Sequence, residues 1–369
     1  MTWLRCVKCV MPNTRPDVPF NEDGVCQACL NFEQRPEIDW QQRRAELIRL
    51  LDKHDGRCIV PSSGGKDSTY QALKLKELGA NPIAVTATTC MLSDIGRRNI
   101  DNLARHVPTV EFTPNMTVRA KLNRLGLTLV GDISWPEHVS IFTVPFKAAV
   151  AMDVPLIFFG ENPQDQYGGP HGTEEAMQMT QRWRSEFGGF LGIRPSDMVD
   201  QLDITESDMA WYQMPHADVL EAKRIEAHFL GQYLPWDSFE NAQYSADRGF
   251  DFNLPYAGNY FEWENQDNIQ TGLHDWFGFL KFGYGRGCAQ VSIAIRAGRM
   301  TREQGLKWVQ EFDGLFPTTY LGVNIGRVLH HIHMNTDEFL QVCNEFLNRD
   351  IFASESVEFN RRPVLKEWA

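Results

Sequence analysis

The stretch Ser62-Ser63-Gly64-Gly65-Lys66-Asp67-Ser68 constrains this chain more than any other. It follows a short apolar run, Cys58-Ile59-Val60, that reads as a buried strand. A helical pattern opens directly behind it, from Thr69 to Leu78 with Ala72, Leu75 and Leu78 on one face, and stops at Gly79. Strand, glycine-rich turn and helix start make a phosphate-binding geometry. Two glycines let the backbone approach an oxyanion without Cβ clashes. The N–H groups of the first helical turn, at the positive end of the helix dipole, face the charge.

Two common phosphate loops fail against these residues. A Walker A loop needs G-x-x-x-x-G-K-[ST], but here Gly65-Lys66 is followed by Asp67, and Val60 stands where the first glycine should be. The dinucleotide pattern G-x-G-x-x-G fails because Gly64 and Gly65 are adjacent. What remains is S-G-G-x-D-S over residues 63–68. A plainer alternative uses the same residues as a serine/glycine turn capping an ordinary helix, since Asp and Ser are good N-caps. The full motif between a strand and a helix favours the phosphate loop.

Strand and helix patterns alternate on either side of this loop. An amphipathic helix from Asp39 to Lys53 precedes it, and strands are expected at Pro82–Ala87, Val110–Thr113 and Val154–Phe159. Helical stretches lie between them, from Asp94 to His106, Val118 to Leu125 and Val144 to Met152. A shorter run from Glu226 to Leu234 completes the sheet. This alternation predicts an α/β fold with a doubly wound parallel sheet, whose ligands sit at the carboxyl ends of the strands. The loop, Thr86–Thr88 and Gly160-Glu161-Asn162 all fall at such ends and are expected to line one crevice. Beyond Gly249 the pattern turns helical and aromatic. The chain therefore divides into a small unit over residues 1–35, the sheet domain over 36–250 and a helical C-terminal region over 251–369.

The N-terminal unit carries Cys6-Val7-Lys8-Cys9 and Cys26-Gln27-Ala28-Cys29, two C-x2-C pairs with sixteen residues between them. That spacing is in the range of a four-cysteine zinc site, with Cys6, Cys9, Cys26 and Cys29 as ligands. A ribbon this small cannot fold on hydrophobic burial alone, so the Zn²⁺ ion would supply its folding energy. Two disulfides, an iron–sulfur cluster or coincidence are the alternatives. With four thiolates the ion has no open position for catalysis.

Composition excludes some function classes. The formal net charge is −12, with 36 Lys and Arg against 48 Asp and Glu, which argues against broad nucleic-acid or anionic-membrane binding through phosphate neutralisation. The N-terminus has no apolar signal core, and no run approaches the ~18 residues of a spanning helix, so a cytoplasmic location is expected. Hydrophobic residues make up 43% of the 369, enough for a sizeable core. His330-His331-Ile332-His333 lacks acidic or cysteine ligands at fixed spacing and is expected to be a helix end with mixed faces.

The S-G-G-x-D-S loop resembles the signature of the PP-loop ATP pyrophosphatases, of the adenine nucleotide alpha hydrolase-like class. These hold the β,γ-diphosphate of ATP while a substrate oxygen attacks the α-phosphorus, giving an adenylate and pyrophosphate. Three further stretches narrow the resemblance: Phe158-Phe159-Gly160-Glu161-Asn162, Gln166-Tyr167-Gly168-Gly169 and Lys281-Phe282-Gly283-Tyr284-Gly285-Arg286. With the N-terminal cysteine pairs, they look like the N-acetyl sugar amidotransferases of bacterial surface-polysaccharide (lipopolysaccharide O-antigen) biosynthesis, over roughly residues 3 to 350. One departure is Gln166, where the family carries Glu before Y-G-G.

The resemblance implies a reaction in which an acetamido group on a nucleotide-linked sugar, such as a UDP-diacetamido uronic acid, becomes an acetamidino group. ATP and Mg²⁺ are its implied cofactors. It implies catalytic roles for Lys66, Asp67, Glu161 and Asn162, and nucleotide contacts from Ser63, Gly64, Gly65, Ser68, Thr86, Lys281 and Arg286. Glutamine hydrolysis needs a nucleophilic cysteine in a strained elbow or at the N-terminus. The chain begins Met1-Thr2, and Gly287-Cys288-Ala289-Gln290 is no elbow. Ammonia is therefore expected from a separate glutaminase with a cyclase-like partner, resembling the two subunits of imidazole glycerol phosphate synthase. Two rivals remain: a PP-loop tRNA thiolase, disfavoured by the acidic balance and the isolated Cys90 and Cys288, and a non-catalytic nucleotide-binding scaffold. The oligomeric state is left open, a homodimer included.

Overall fold

In the computed structural model, which describes residues 3–15, 18–161, 176–180, 182–184, 190–252 and 258–368, the strand before the loop is the middle of a sheet. This strand, β1 (Arg57–Pro61), buries Cys58, Ile59 and Val60 completely. Both its faces are covered, so it reads as a continuous apolar run with no alternation. Around it lie β2 (Asn81–Ala87), β3 (Thr109–Phe112), β4 (Leu156–Phe159) and β5 (Glu226–Phe229), in the order β3-β2-β1-β4-β5 and all parallel. Ile59 is in register with Ile83 on one side and Ile157 on the other. The chain works outward from β1 to β3, then crosses back to start β4 on the other flank. A crevice opens at that reversal, between the carboxyl ends of β1 and β4.

Helices cover both faces of the sheet. Cys58 and Val60 pack with Leu47 and Leu51 of α2 (Trp40–Lys53) and with Ala72 and Leu75 of α3 (Lys66–Glu77). Ile59, pointing the other way, meets Val144, Phe146 and Ala149 of α6 (Trp135–Met152). Asp39 caps α2 by accepting from the Gln41 and Gln42 amides, and Ser93 caps α4 (Asp94–Ala104) by accepting from Gly96. Some elements differ in extent from the sequence pattern. α3 begins at Lys66, three residues before the apolar periodicity, because the Thr69 amide already donates to the Gly65 carbonyl. α5 (Met116–Val130) runs past Leu125 to a left-handed Gly131, and β5 stops at Phe229, where a short 3₁₀ turn takes over.

The other two regions are built against this sheet domain. Cys6, Cys9, Cys26 and Cys29, the last two flanking the start of α1 (Gln27–Gln34), share one apolar cluster with Cys288 and Val291 of α9 (Arg286–Arg296) and Val309 of α10 (Arg302–Phe312). The Arg302 guanidinium donates to the Cys6 and Cys9 carbonyls, both at 3.0 Å. α8 (Thr271–Phe282) packs Trp276, Phe277, Phe279 and Leu280 into a core that also takes Met91, Leu127 and Ile133 from the sheet domain. Among the described residues no helix is long and apolar enough to cross a membrane.

Candidate active site

Residues 62–68 close the gap between β1 and α3 with a set of serine hydrogen bonds. Ser62 Oγ takes the Gly64 amide at 3.2 Å and donates to Ser68 Oγ at 3.1 Å, while Ser63 Oγ takes the Gly65 amide at 3.3 Å. Gly64 has φ +83, and a Cβ there would stand 2.8 Å from Ile100 Cγ1, so glycine is required on both counts. Gly65 is the extended N-cap of α3. The N–H groups of the first turn, which no helical carbonyl can reach, thus open onto the crevice.

Lys66, the first residue of α3, is almost fully buried, and its ammonium contacts Asp67 Oδ2 at 2.5 Å and Glu264 Oε1 at 2.7 Å. Burial works against its charge, but Asp67 and Glu264 outweigh that and raise its pKa. Asp67 is held in turn by Asn241 Nδ2 at 3.1 Å, and Ser245 Oγ donates to the Lys66 carbonyl at 2.9 Å; both come from α7 (Ser238–Ala246). Two more carboxyls complete the cluster. Glu161, just beyond β4, is pushed up to about 7 by burial and by the neighbouring Asp67 charge. Asp267, bonded to Ser63, is pushed up to about 6, chiefly by burial. These carboxyls outnumber the one lysine, but no three of them gather their oxygens as closely as the four ribbon cysteines gather their sulfurs.

Three polar groups near the loop have no hydrogen-bond partner. Thr86 Oγ1 and Thr88 Oγ1, at the end of β2, and Gln71 Oε1 on α3 are buried and unpaired. A buried hydroxyl left without a partner costs about 1–3 kcal/mol.

Of the residues expected from the sequence, Ser63, Gly64, Gly65, Lys66, Asp67, Ser68 and Glu161 meet here, and Thr86 lies near the end of β2, the strand beside β1. Asn162 and the stretch 166–169 lie outside the described residues. Arg286 sits at the margin: its guanidinium is paired with Asp275 at 2.9 Å, and its charge acts on both Glu264 and Asp267. Lys281 is elsewhere, its ammonium donating to the Val130 and Gly131 carbonyls at the end of α5. Sequence inspection missed Glu264, Asp267 and Asn241. The polar run Glu262–Asn268 inside an aromatic region was the available signal for the first two. It reaches the loop because Gly96 lacks a Cβ, which would stand 2.8 Å from Asp267 Cα.

The four ribbon cysteines are buried and unbridged, with Cys6 Sγ 3.9 Å from Cys29 Sγ and Cys9 Sγ 3.7 Å from Cys26 Sγ. Sulfurs at about 2.3 Å from a tetrahedral zinc ion lie about 3.8 Å apart, so the set has room for one such ion. The Lys8, Cys9 and Cys26 amides all point at Cys6 Sγ, at 3.3–3.5 Å, as donors to a thiolate do. The remaining thiols are not poised as nucleophiles. Burial pushes Cys58, Cys90 and Cys343 up to about 12, and Cys288 rises well above its usual value, chiefly by burial.

No curated protein matches the chain. Two solved structures overlap it loosely. One is the NH3-dependent NAD synthetase from Campylobacter jejuni subsp. jejuni NCTC 11168 in complex with the nitrate ion, 12% identical over 59% of this chain and 99% of that one, with a TM-score of 0.30. The other is NMN synthetase from Francisella tularensis, 12% identical over 60% and 99%, with a TM-score of 0.27. Residues 250–365, which supply Glu264 and Asp267, match the family described as LPS biosynthesis protein WbpG-like, C-terminal domain.

Proposed function

We propose that this chain is an ATP-dependent, AMP-forming amidotransferase that converts an acetamido group of a nucleotide-linked sugar into an acetamidino group. One observation carries the proposal: the region matching an LPS-biosynthesis family places Glu264 on Lys66 and Asp267 on Ser63 of the S-G-G-x-D-S loop.

An amide oxygen is a poor leaving group, so the carbonyl must first be activated. Its oxygen attacks the α-phosphorus of ATP, the bond to the β-phosphate oxygen breaks, and pyrophosphate leaves. Ammonia then attacks the imidoyl carbon, AMP departs with the former amide oxygen, and the amidine remains after loss of a proton. The loop amides and the start of α3 hold the departing pyrophosphate. Lys66, buried and kept charged by its two carboxylates, stabilises the charge that gathers there. Glu161, with a pKa of about 7, is matched to accept the proton released when ammonia adds. Asp67 would help to hold a magnesium ion, which would supply further charge neutralisation at the phosphates. Ammonia would come from a separate glutaminase with a cyclase-like subunit, and the ribbon's ion would be zinc.

The test is an assay with ATP, Mg²⁺, ammonium and a panel of diacetamido nucleotide sugars. AMP, pyrophosphate and a product about one mass unit lighter are expected, all abolished in Asp67→Ala. AMP formation only with tRNA and a sulfur donor would overturn the proposal in favour of a thiolase.

A further inference from the structure

We propose that the cavity between the cysteine ribbon and the sheet seats the nucleoside diphosphate of the acceptor, so that the ribbon forms a wall of the active site. This inference rests on the amidotransferase reading and assigns the substrate-recognition half of that site.

The cavity encloses about 570 Å³, within the range of roughly 300–1,000 Å³ usual for small-molecule sites. One wall is Phe32 of α1 with Arg35 and Trp40, which lead from the ribbon into α2. Trp236, from the segment after β5, and Arg296, in the last turn of α9, line it as well. Glu161 lines the same cavity, and its charge is coupled to Asp67 and Lys66 of the loop. The cavity therefore runs from the ribbon to the carboxylate cluster.

Its chemistry selects the ligand. The flat aromatic side chains of Phe32, Trp40 and Trp236 suit a nucleobase. Guanidinium groups suit a diphosphate, whose oxygens they bind as planar forks. Arginines gathered at one cavity are notable in a chain of net charge −12. Trp236 is braced from behind by Tyr70 of α3, edge to face at 5.4 Å, so its position is fixed by the loop helix itself. With the base and diphosphate at the ribbon end, the sugar lies at the Glu161 end, nearest the loop.

The ribbon cannot drift from this position. Its cysteines share a core with α9, the helix whose last turn carries Arg296. One face of that helix holds the ribbon and its end lines the cavity.

The test is calorimetric titration of the full chain with UDP while an α,β-methylene ATP analogue occupies the loop. One UDP per chain is expected, weakened at least tenfold by Trp40→Ala and by Arg296→Gln, with the analogue's affinity unchanged. Arg35→Gln serves as a further variant should Trp40→Ala melt at a lower temperature. UDP that competes with the analogue, fails to bind, or binds both variants as tightly as the parent would overturn the inference. The two readings separate cleanly. UDP binding with these losses upholds the cavity even if no sugar elicits AMP. A full amidination assay with unchanged KM in both variants overturns the cavity and leaves the reaction standing.

Discussion

The Lys66 ammonium lies 2.7 Å from the Glu264 carboxylate, so a side chain of the C-terminal region closes on the first residue of the helix behind the 62–68 loop. Lys66 is 3% exposed and depends on its partners to stay charged. Ser238 Oγ, 3.3 Å from Glu264, steadies the carboxylate from α7.

Glu264→Gln is expected to lower unfolding free energy by about 1–3 kcal/mol, the scale for a buried charge losing one of two partners, and AMP formation at least tenfold. Urea denaturation and pyrophosphate release measure the two effects. Lys66→Met combined with Glu264→Gln should not recover activity. An unimpaired rate in Glu264→Gln would remove that residue from the site.

The raised pKa of Glu161 predicts a pH signature in the magnesium-free protein. The native state holds this proton up to about pH 7, whereas the usual value is 4.5, so between these two the native state binds more protons. Raising pH through that window therefore costs stability. Glu161→Gln removes the cost, so its melting temperature relative to the parent should climb from pH 5 to pH 8. A difference that stays flat across that range would mean Glu161 ionises like a surface carboxyl.

The sheet and the loop were readable because local rules govern them. An apolar run buried on both faces, a glycine pair and a helix start are contiguous in the chain. Glu264 and Asp267 were not readable in that way. Their place depends on Gly96 letting the segment at Asp267 pack against α4, a contact between distant residues with no local periodicity. Lys281 shows the opposite case. The resemblance implies a nucleotide contact for it, but its ammonium donates to the carbonyls that end α5, and only the folded chain brings those to it.

The proposed zinc ion of the ribbon is testable through Cys26→Ser. The four thiols and Val10, Val25 and Ala28 form one cluster with α9 and α10, so losing the ion should disturb those helices as well. We expect one zinc per chain in the parent, none in the variant, and a melting temperature lower by about 5 °C or more. Metal analysis and circular dichroism give both quantities. Iron in place of zinc would reassign the ion while keeping the fourfold thiolate site.

Asp132, 1% exposed, accepts from His138 Nδ1 at 2.9 Å, His274 Nδ1 at 2.8 Å and the Ser134 amide at 2.9 Å. Burial opposes its charge, but the two imidazoles outweigh burial and hold the carboxyl well below its usual 3.8. His138 responds in kind: burial lowers its pKa, Asp132 raises it by more, Glu137 adds to the rise and Arg286 opposes it, leaving it above 6.5. The stability from His138 is thus complete below pH 6.5 and fades as pH climbs through the raised value. That from Asp132 is complete above 3.8 and is lost as pH falls through the lowered one. Histidine Hε1 resonances followed by NMR should place the His138 midpoint above 6.5, and Asp132→Asn should bring it to 6.5 or lower. A midpoint unmoved by Asp132→Asn would mean that the carboxylate orients the ring without sharing its charge.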